Sequence, residues 1–155
     1  ELALTIAQIK SNRESITLGQ RDSIMLTALP GLRDHDRGLI ATDLAAAEKF
    51  FSSAITVLDT AINEEQELLA GANTELLQTY LKLAQLSTYR AWKSALFHYL
   101  GKQNLTPIQI AQHPGMIEVN SKATELISNL TAVANASGDN SLEALIALFK
   151  TRLGI

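Results

Sequence analysis

Asp34, His35 and Asp36 follow one another, the one run in which an imidazole and two carboxylates could close on a divalent cation. Arg33 and Arg37 flank it. Guanidinium groups that close neutralise the carboxylates and repel a metal, so the run reads as a self-compensated loop or capping stretch. His98 falls near the C-terminal end of a long helical pattern, where the helix dipole favours positive charge. No carboxylate or nucleophile accompanies it in sequence, and it reads as structural. His113 precedes Pro114 and reads as loop.

The remaining chemistry is negative. A di-iron or di-manganese bundle needs Glu-x-x-His pairs, and no glutamate here is followed by a histidine three residues on. The chain contains no H-E-x-x-H, phosphate-binding P-loop, G-x-G-x-x-G or G-x-S-x-G pattern. Cys is absent, which removes thiolate catalysis, disulfides and Cys-based metal sites together. The expectation is a protein that is not an enzyme, with no cofactor and no metal.

A net charge of -3 gives no electrostatic case for nucleic acid. Residues 108–127 have the small-residue and turn-glycine spacing of a helix-turn-helix at Ala111 and Gly115. Ser121 and Thr124 then stand where that motif wants apolar residues, and Lys122 is the only base there. No window approaches the roughly 18 apolar residues of a membrane span. Glycosylation sequons at Asn104, Asn129 and Asn135 read as coincidence in a Ser/Thr-rich chain. Nothing in the composition assigns a compartment.

The elements that must position these residues are helical. Leu and Ala fill 46 of the 155 positions and Val only three, which favours helix over sheet. With 46% apolar and 19% charged residues, the chain is globular by composition, and 155 residues are expected to form one helical-bundle domain over 1–155. Leu2, Ile6, Ile9 and Ile16 mark a first helix that should stop near Gly19. Asp22 or Ser23 then caps a short piece to Leu29, closed by Pro30-Gly31, and residues 32–38 form a charged loop.

Thr42 or Asp43 opens the cleanest helix, with Leu44, Ala47, Phe50, Phe51, Ala54, Ile55, Val57, Leu58, Ala61 and Ile62 on one arc, running to about Ala70 with Gly71 as its stop. Asn73 or Thr74 caps a second long helix to Leu100, with Gly101 just past its end. Thr106-Pro107 starts a short turn of helix that ends at His113, before Pro114-Gly115. Met116, Val119, Ala123, Leu126, Ile127, Leu130, Val133 and Ala134 make the stripe of the next helix, which ends at Ser137-Gly138. Asn140, with Glu143 three residues on, opens the last, carrying Leu142, Leu145, Ile146, Phe149 and Leu153. The fold expected is an all-α antiparallel up-and-down bundle of about five helices, with two long central ones.

The helix over residues 74–100 is apolar on two sides. Leu77, Tyr80, Leu81, Ala84, Ala91, Trp92, Ala95 and Tyr99 form one face, while Leu83, Leu86, Tyr89, Leu96, Phe97 and Leu100 lie largely opposite. Such a helix is buried either by its own chain or by another. Its charges are one-sided: Lys82, Arg90, Lys93 and Lys102 occur without an acid between Glu75 and Glu118, and the stretch before it is acidic. The second possibility gives a candidate interface at Leu86, Tyr89, Arg90, Lys93 and Phe97. On that reading the chain is a structural or assembly protein of the kind that builds larger cellular or viral particles. Its partner is itself, as a homo-oligomer, or another protein. The alternative is a bundle that binds a small apolar ligand between helices, lined by Phe50, Phe51, Tyr80, Trp92 and Tyr99.

Overall fold

A computed structural model describes residues 18–68 and 75–155, and these contain six α-helices and no strand. The helices are α1 (Leu18–Leu39), α2 (Leu44–Leu68), α3 (Glu75–Lys102), α4 (Pro107–Gln112), α5 (Pro114–Ser137) and α6 (Asn140–Leu153). The all-α class follows from the composition. The stripe at Leu2 to Ile16, the stop at Ala70-Gly71, the cap at Asn73 or Thr74 and the side chain of Leu77 lie outside the described residues.

The amino-terminal half departs most from expectation. Gly19, Asp22 and Ser23 are all inside α1, which neither stops nor restarts there. Pro30-Gly31 does not close it, and residues 32–38 are helical rather than a loop. Pro30 has no N–H to give the carbonyl one turn earlier. Pro30 and Leu26 both face water, so that carbonyl can be solvated and the helix survives.

Close contact with α2 holds the rest of α1 in shape. A Cβ on Gly31 would stand 3.1 Å from Leu58 Cγ and 3.2 Å from the Ala54 carbonyl, so α1 crosses α2 closely there. Further along, a Cβ on Gly38 would stand 2.6 Å from Cδ1 of the buried Phe51 ring. The pairs Gly31 with Leu58, Asp34 with Ser53 and Gly38 with Phe51 show that α1 and α2 run antiparallel. Gln85 with Ile55 and Trp92 with Glu48 show the same for α2 and α3.

Helix ends follow local chemistry. The Asp43 carboxylate accepts the Ala46 N–H at 2.7 Å and starts α2. A reciprocal capping box joins Thr106 and Gln109 at the start of α4, where Pro107 occupies the first turn. His113 serves both sides of the next junction. Its N–H closes α4 on the Ile110 carbonyl, and its Nδ1 accepts the Gly115 N–H at 3.1 Å to open α5.

Two ends differ from the sequence reading by a few residues. The cap of α6 is Asp139, whose carboxylate takes the Leu142 N–H at 3.0 Å, not Asn140. Gly101 lies within α3, and the left-handed turn after that helix is made by Asn104, with φ 63°. Gly138 and Gly154 take the left-handed cap positions of α5 and α6.

The core forms on both sides of α3. Tyr80, Leu81 and Ala84 pack with Ile24 and Ala28 of α1 and Leu58, Ala61 and Ile62 of α2. Leu83, Leu86, Tyr89, Leu96 and Leu100 pack with Ile110 of α4, the Met116-to-Ala134 stripe of α5 and Leu142, Ile146, Phe149 and Leu153 of α6. The chain's own helices therefore cover the second apolar face.

The two glycines that sequence treats alike should separate in urea denaturation. Gly38→Ala forces a methyl into a ring held on both faces and should cost about 1–3 kcal/mol. Gly101→Ala meets no atom within 4 Å and should stabilise the protein by up to about 1 kcal/mol. Equal effects at the two positions would contradict this packing.

Candidate functional site

Where α1, α2 and α3 meet, polar and aromatic side chains interrupt the apolar packing. Thr88 of α3 is fully buried, and its hydroxyl donates to the Ala84 carbonyl at 2.9 Å. That commits its only proton, so the 2.9 Å contact with His35 must use the imidazole Nδ1–H as donor and the Thr88 oxygen as acceptor. His35 therefore carries a proton on Nδ1. Burial pushes the His35 pKa below its ordinary value, while the Asp36 charge acts weakly the other way.

Around this pair the rings are stacked. The His35 ring meets Phe51 edge-on with centroids 6.1 Å apart, Phe51 stacks on Trp92 at 6.3 Å, and Trp92 stacks on Tyr89 at 6.3 Å. The Trp92 indole N–H donates to Glu48 at 2.9 Å. Gln85, also buried, donates to Asp59 at 2.6 Å and to the Ile55 carbonyl at 3.3 Å. Ser53 donates to Asp34 at 2.7 Å, and Arg37 pairs with the same carboxylate at 3.3 Å. Thr27 donates to Glu64 in the same α1–α2 seam.

A histidine beside a hydroxyl invites a nucleophilic reading. An activated hydroxyl must hand its proton to the base. Here the proton points to a helix carbonyl and the oxygen is sealed from solvent, so the pair locks helices together. Asp34 and His35 turn to different partners, Ser53 and Thr88, so the run does not converge on one cation. Among the described residues, no group of three or more His, Asp or Glu side chains could hold a metal ion. Nor is any described helix long and apolar enough to cross a membrane.

The five candidate interface residues do not share a surface. Leu86 and Tyr89 belong to the core built with α5 and α6, because those helices lie on that face of α3. They are occupied by the chain itself, which corrects their assignment to an intermolecular face. Burial pushes the Tyr89 pKa up to about 12, with the Asp59, Glu118 and Glu125 charges adding to it.

Arg90 is exposed. Lys93 reaches the end of α6 and donates to the Leu153 carbonyl, a cation set against a helix C-terminus. Its half-buried setting pushes its pKa down. Phe97 alone of the apolar three remains open to solvent. The proposed ligand lining divides too. Phe51 and Trp92 fill space against each other, Tyr80 is in the α1–α2 core, and the Tyr99 hydroxyl donates to the Ala41 carbonyl at 2.9 Å. Phe50 is half-buried.

His98 is exposed, with its ring edge-on to Tyr99 at 4.9 Å. The three sequon asparagines are exposed.

Sequence reasoning missed the seam because its pairs are 19 to 53 residues apart. One signal was available. Gln85 and Thr88 fall among the apolar positions Leu81, Leu83, Ala84 and Leu86 of a helix that is apolar on two sides, where polar side chains need distant partners.

One end of the bundle carries exposed aliphatic side chains on both sides of α3. The Tyr99–Ala41 bond brings the end of α3 to the α1–α2 turn, and α4 and the start of α5 follow directly. At this end Leu39 is 58% exposed, Ile40 80%, Ile108 71% and Ile117 56%, with Phe97 43% exposed lower on α3. Asp36, Arg37, Asp43, Lys102 and Glu118 are exposed there as well.

No family model, curated protein or solved structure matches the chain.

Leu86 and Phe97 give a direct check of these placements in urea denaturation. Leu86→Ala should lose about 2–5 kcal/mol, as for a fully enclosed leucine. Phe97→Ala should lose less than about 1 kcal/mol. A reversed order would return Leu86 to the surface.

Proposed function

We propose that this chain is a non-enzymatic assembly subunit that associates with further copies of itself through the end of the bundle bearing Leu39, Ile40, Ile108 and Ile117. The observation that carries the reading is that all four are exposed at the same end of the bundle. Single exposed aliphatics are ordinary on protein surfaces, but several large ones at one end favour removal from water. Each such side chain enclosed on association contributes about 1.5–3 kcal/mol before ordering costs.

The charges favour a second copy as the occupant. A patch rimmed by one sign of charge repels its own image across a two-fold axis. This rim carries acids at Asp36, Asp43 and Glu118 and bases at Arg37 and Lys102, so opposite signs can meet when two identical ends face each other.

Mass by light scattering on a sizing column, over roughly a hundredfold range of concentration, tests the proposal. The wild-type chain should exceed 16.8 kDa at the upper end. Ile40→Asp/Ile108→Asp should keep its helical circular dichroism and elute as the monomer. A wild-type mass of 16.8 kDa throughout would overturn self-assembly. An oligomer that survives the double substitution would overturn this end as the contact.

A further inference from the structure

The elbow between α4 and α5 joins two of the four aliphatics at the exposed end. Ile108 lies before it on α4 and Ile117 after it on α5. His113 is the residue at the bend, with extended backbone at φ -64° and ψ 134°. Its N–H closes α4 on the Ile110 carbonyl at 3.1 Å, and its carbonyl accepts the Ile117 N–H at 3.0 Å. The ring supplies the third hold, with Nδ1 accepting the Gly115 N–H at 3.1 Å. Gly115 leaves room for it, since a Cβ there would stand 3.2 Å from Nδ1.

An Nδ1 that accepts is unprotonated, so the neutral ring carries its proton on Nε2. The imidazolium has an N–H at both positions and no lone pair left to accept with. Protonation therefore breaks the Gly115 bond outright, because a donor then faces a donor. It also sets a positive charge at a helix N-terminus, where the dipole opposes it. Pro114 has no N–H, so the Gly115 amide is the first donor of α5, and the His113 side chain is what satisfies it.

We propose that His113 is an acid-sensitive clasp on the self-association end, a role that rests on the self-association proposed above: the neutral ring fixes Ile108 and Ile117 in the arrangement that docks, and protonation frees the first turn of α5 and weakens docking. Ile117 closes that turn, so its side chain loses its fixed position when the turn frays. Loss of a side-chain cap disfavours a helix start by about threefold or more. Each of two identical copies carries the elbow, so the cost enters twice and the dissociation constant should rise about tenfold or more.

The charged and titratable groups of the elements that meet here are few, and α4 carries none. On α5 they are Glu118 and Lys122. On α3, whose Leu96 lies 3.6 Å from a Cβ built on Gly115, they are Lys93, His98 and Lys102. The end of α6, which Lys93 reaches, adds Lys150 and Arg152. Glu118 is the one acid in this set. No carboxylate among the described residues bonds the His113 ring, so no ion pair replaces the bond that protonation removes. The clasped state takes only the neutral ring, and acid therefore favours the open one. The clasp is whole in neutral solution and is lost as histidine protonates.

Self-association of the full chain, measured by dilution at about pH 7.5 and about pH 5.5, tests the clasp. The wild type should dissociate about tenfold or more readily at the lower pH. His113→Asn places an amide oxygen near the Nδ1 position, where it caps the helix and does not titrate, so it should associate alike at both. His113→Leu has no cap at either pH, and at the higher one it should match the acidified wild type. An oligomer equally tight at both pH values overturns the clasp and leaves the self-association standing. So does an acid-induced loss that persists in His113→Asn. A wild type that is monomeric at every pH overturns the self-association and the clasp with it. Should His113→Asn fail to fold, exchange of the Gly115 and Met116 amides in the wild type, corrected for its intrinsic pH dependence, decides. A rise whose midpoint coincides with the His113 titration by NMR supports the clasp, and separate midpoints overturn it.

Discussion

The structure depends on enclosing α3 from both sides. A 28-residue helix with apolar groups around most of its circumference cannot stand at a surface, and one partner layer covers only half of it. The chain solves this with two layers, one before α3 in sequence and one after. The helices α1 and α2 take the side carrying Tyr80, Leu81 and Ala84. The helices α4, α5 and α6 take the side carrying Leu83, Leu86, Leu96 and Leu100. Every other helix can then be amphipathic and short-linked, because each needs to cover only one face.

The polar seam is the second consequence. Apolar packing is non-directional, and α1 could slide along α2 and α3 with little penalty if greasy contacts alone joined them. The Thr27–Glu64, Asp34–Ser53, His35–Thr88, Gln85–Asp59 and Trp92–Glu48 bonds fix the register, since a buried polar group that loses its partner costs about 1–3 kcal/mol. Gly31 and Gly38 permit the close approach that those bonds require. The α5–α6 side is held by apolar packing.

Much of the fold was legible in the sequence where local chemistry decides. The α2 start at Asp43, the Thr106-Pro107 cap and the stripes of α5 and α6 need only side chains a few residues apart. In residues 30–38 the local signals, Pro-Gly followed by charge, favour a loop, and contacts with residues 53, 54, 58 and 88 override them. The face of α3 was recognised as apolar, but periodicity says that a face is covered and never by which chain. Periodicity therefore admits an interface at Leu86 and Tyr89, which the chain's own α5 and α6 cover. The exposed end was missed for a related reason. Leu39, Ile40, Ile108 and Ile117 are scattered in sequence, and only the return of α3 to the α1–α2 turn puts them at one end.

If α3 is the shared axis of two layers, neither layer should persist when the other is lost. Equilibrium unfolding in urea, followed at once by Trp92 emission and by helical circular dichroism, tests this most directly. Trp92 reports the joint of α2 with α3, where it stacks on Phe51 and bonds Glu48, and the dichroism reports all helices. Coincident single transitions are the result expected of one cooperative unit. Helix that remains after the Trp92 signal is lost would show that α5 and α6 stand without the other layer, and would contradict the dependence of both on α3.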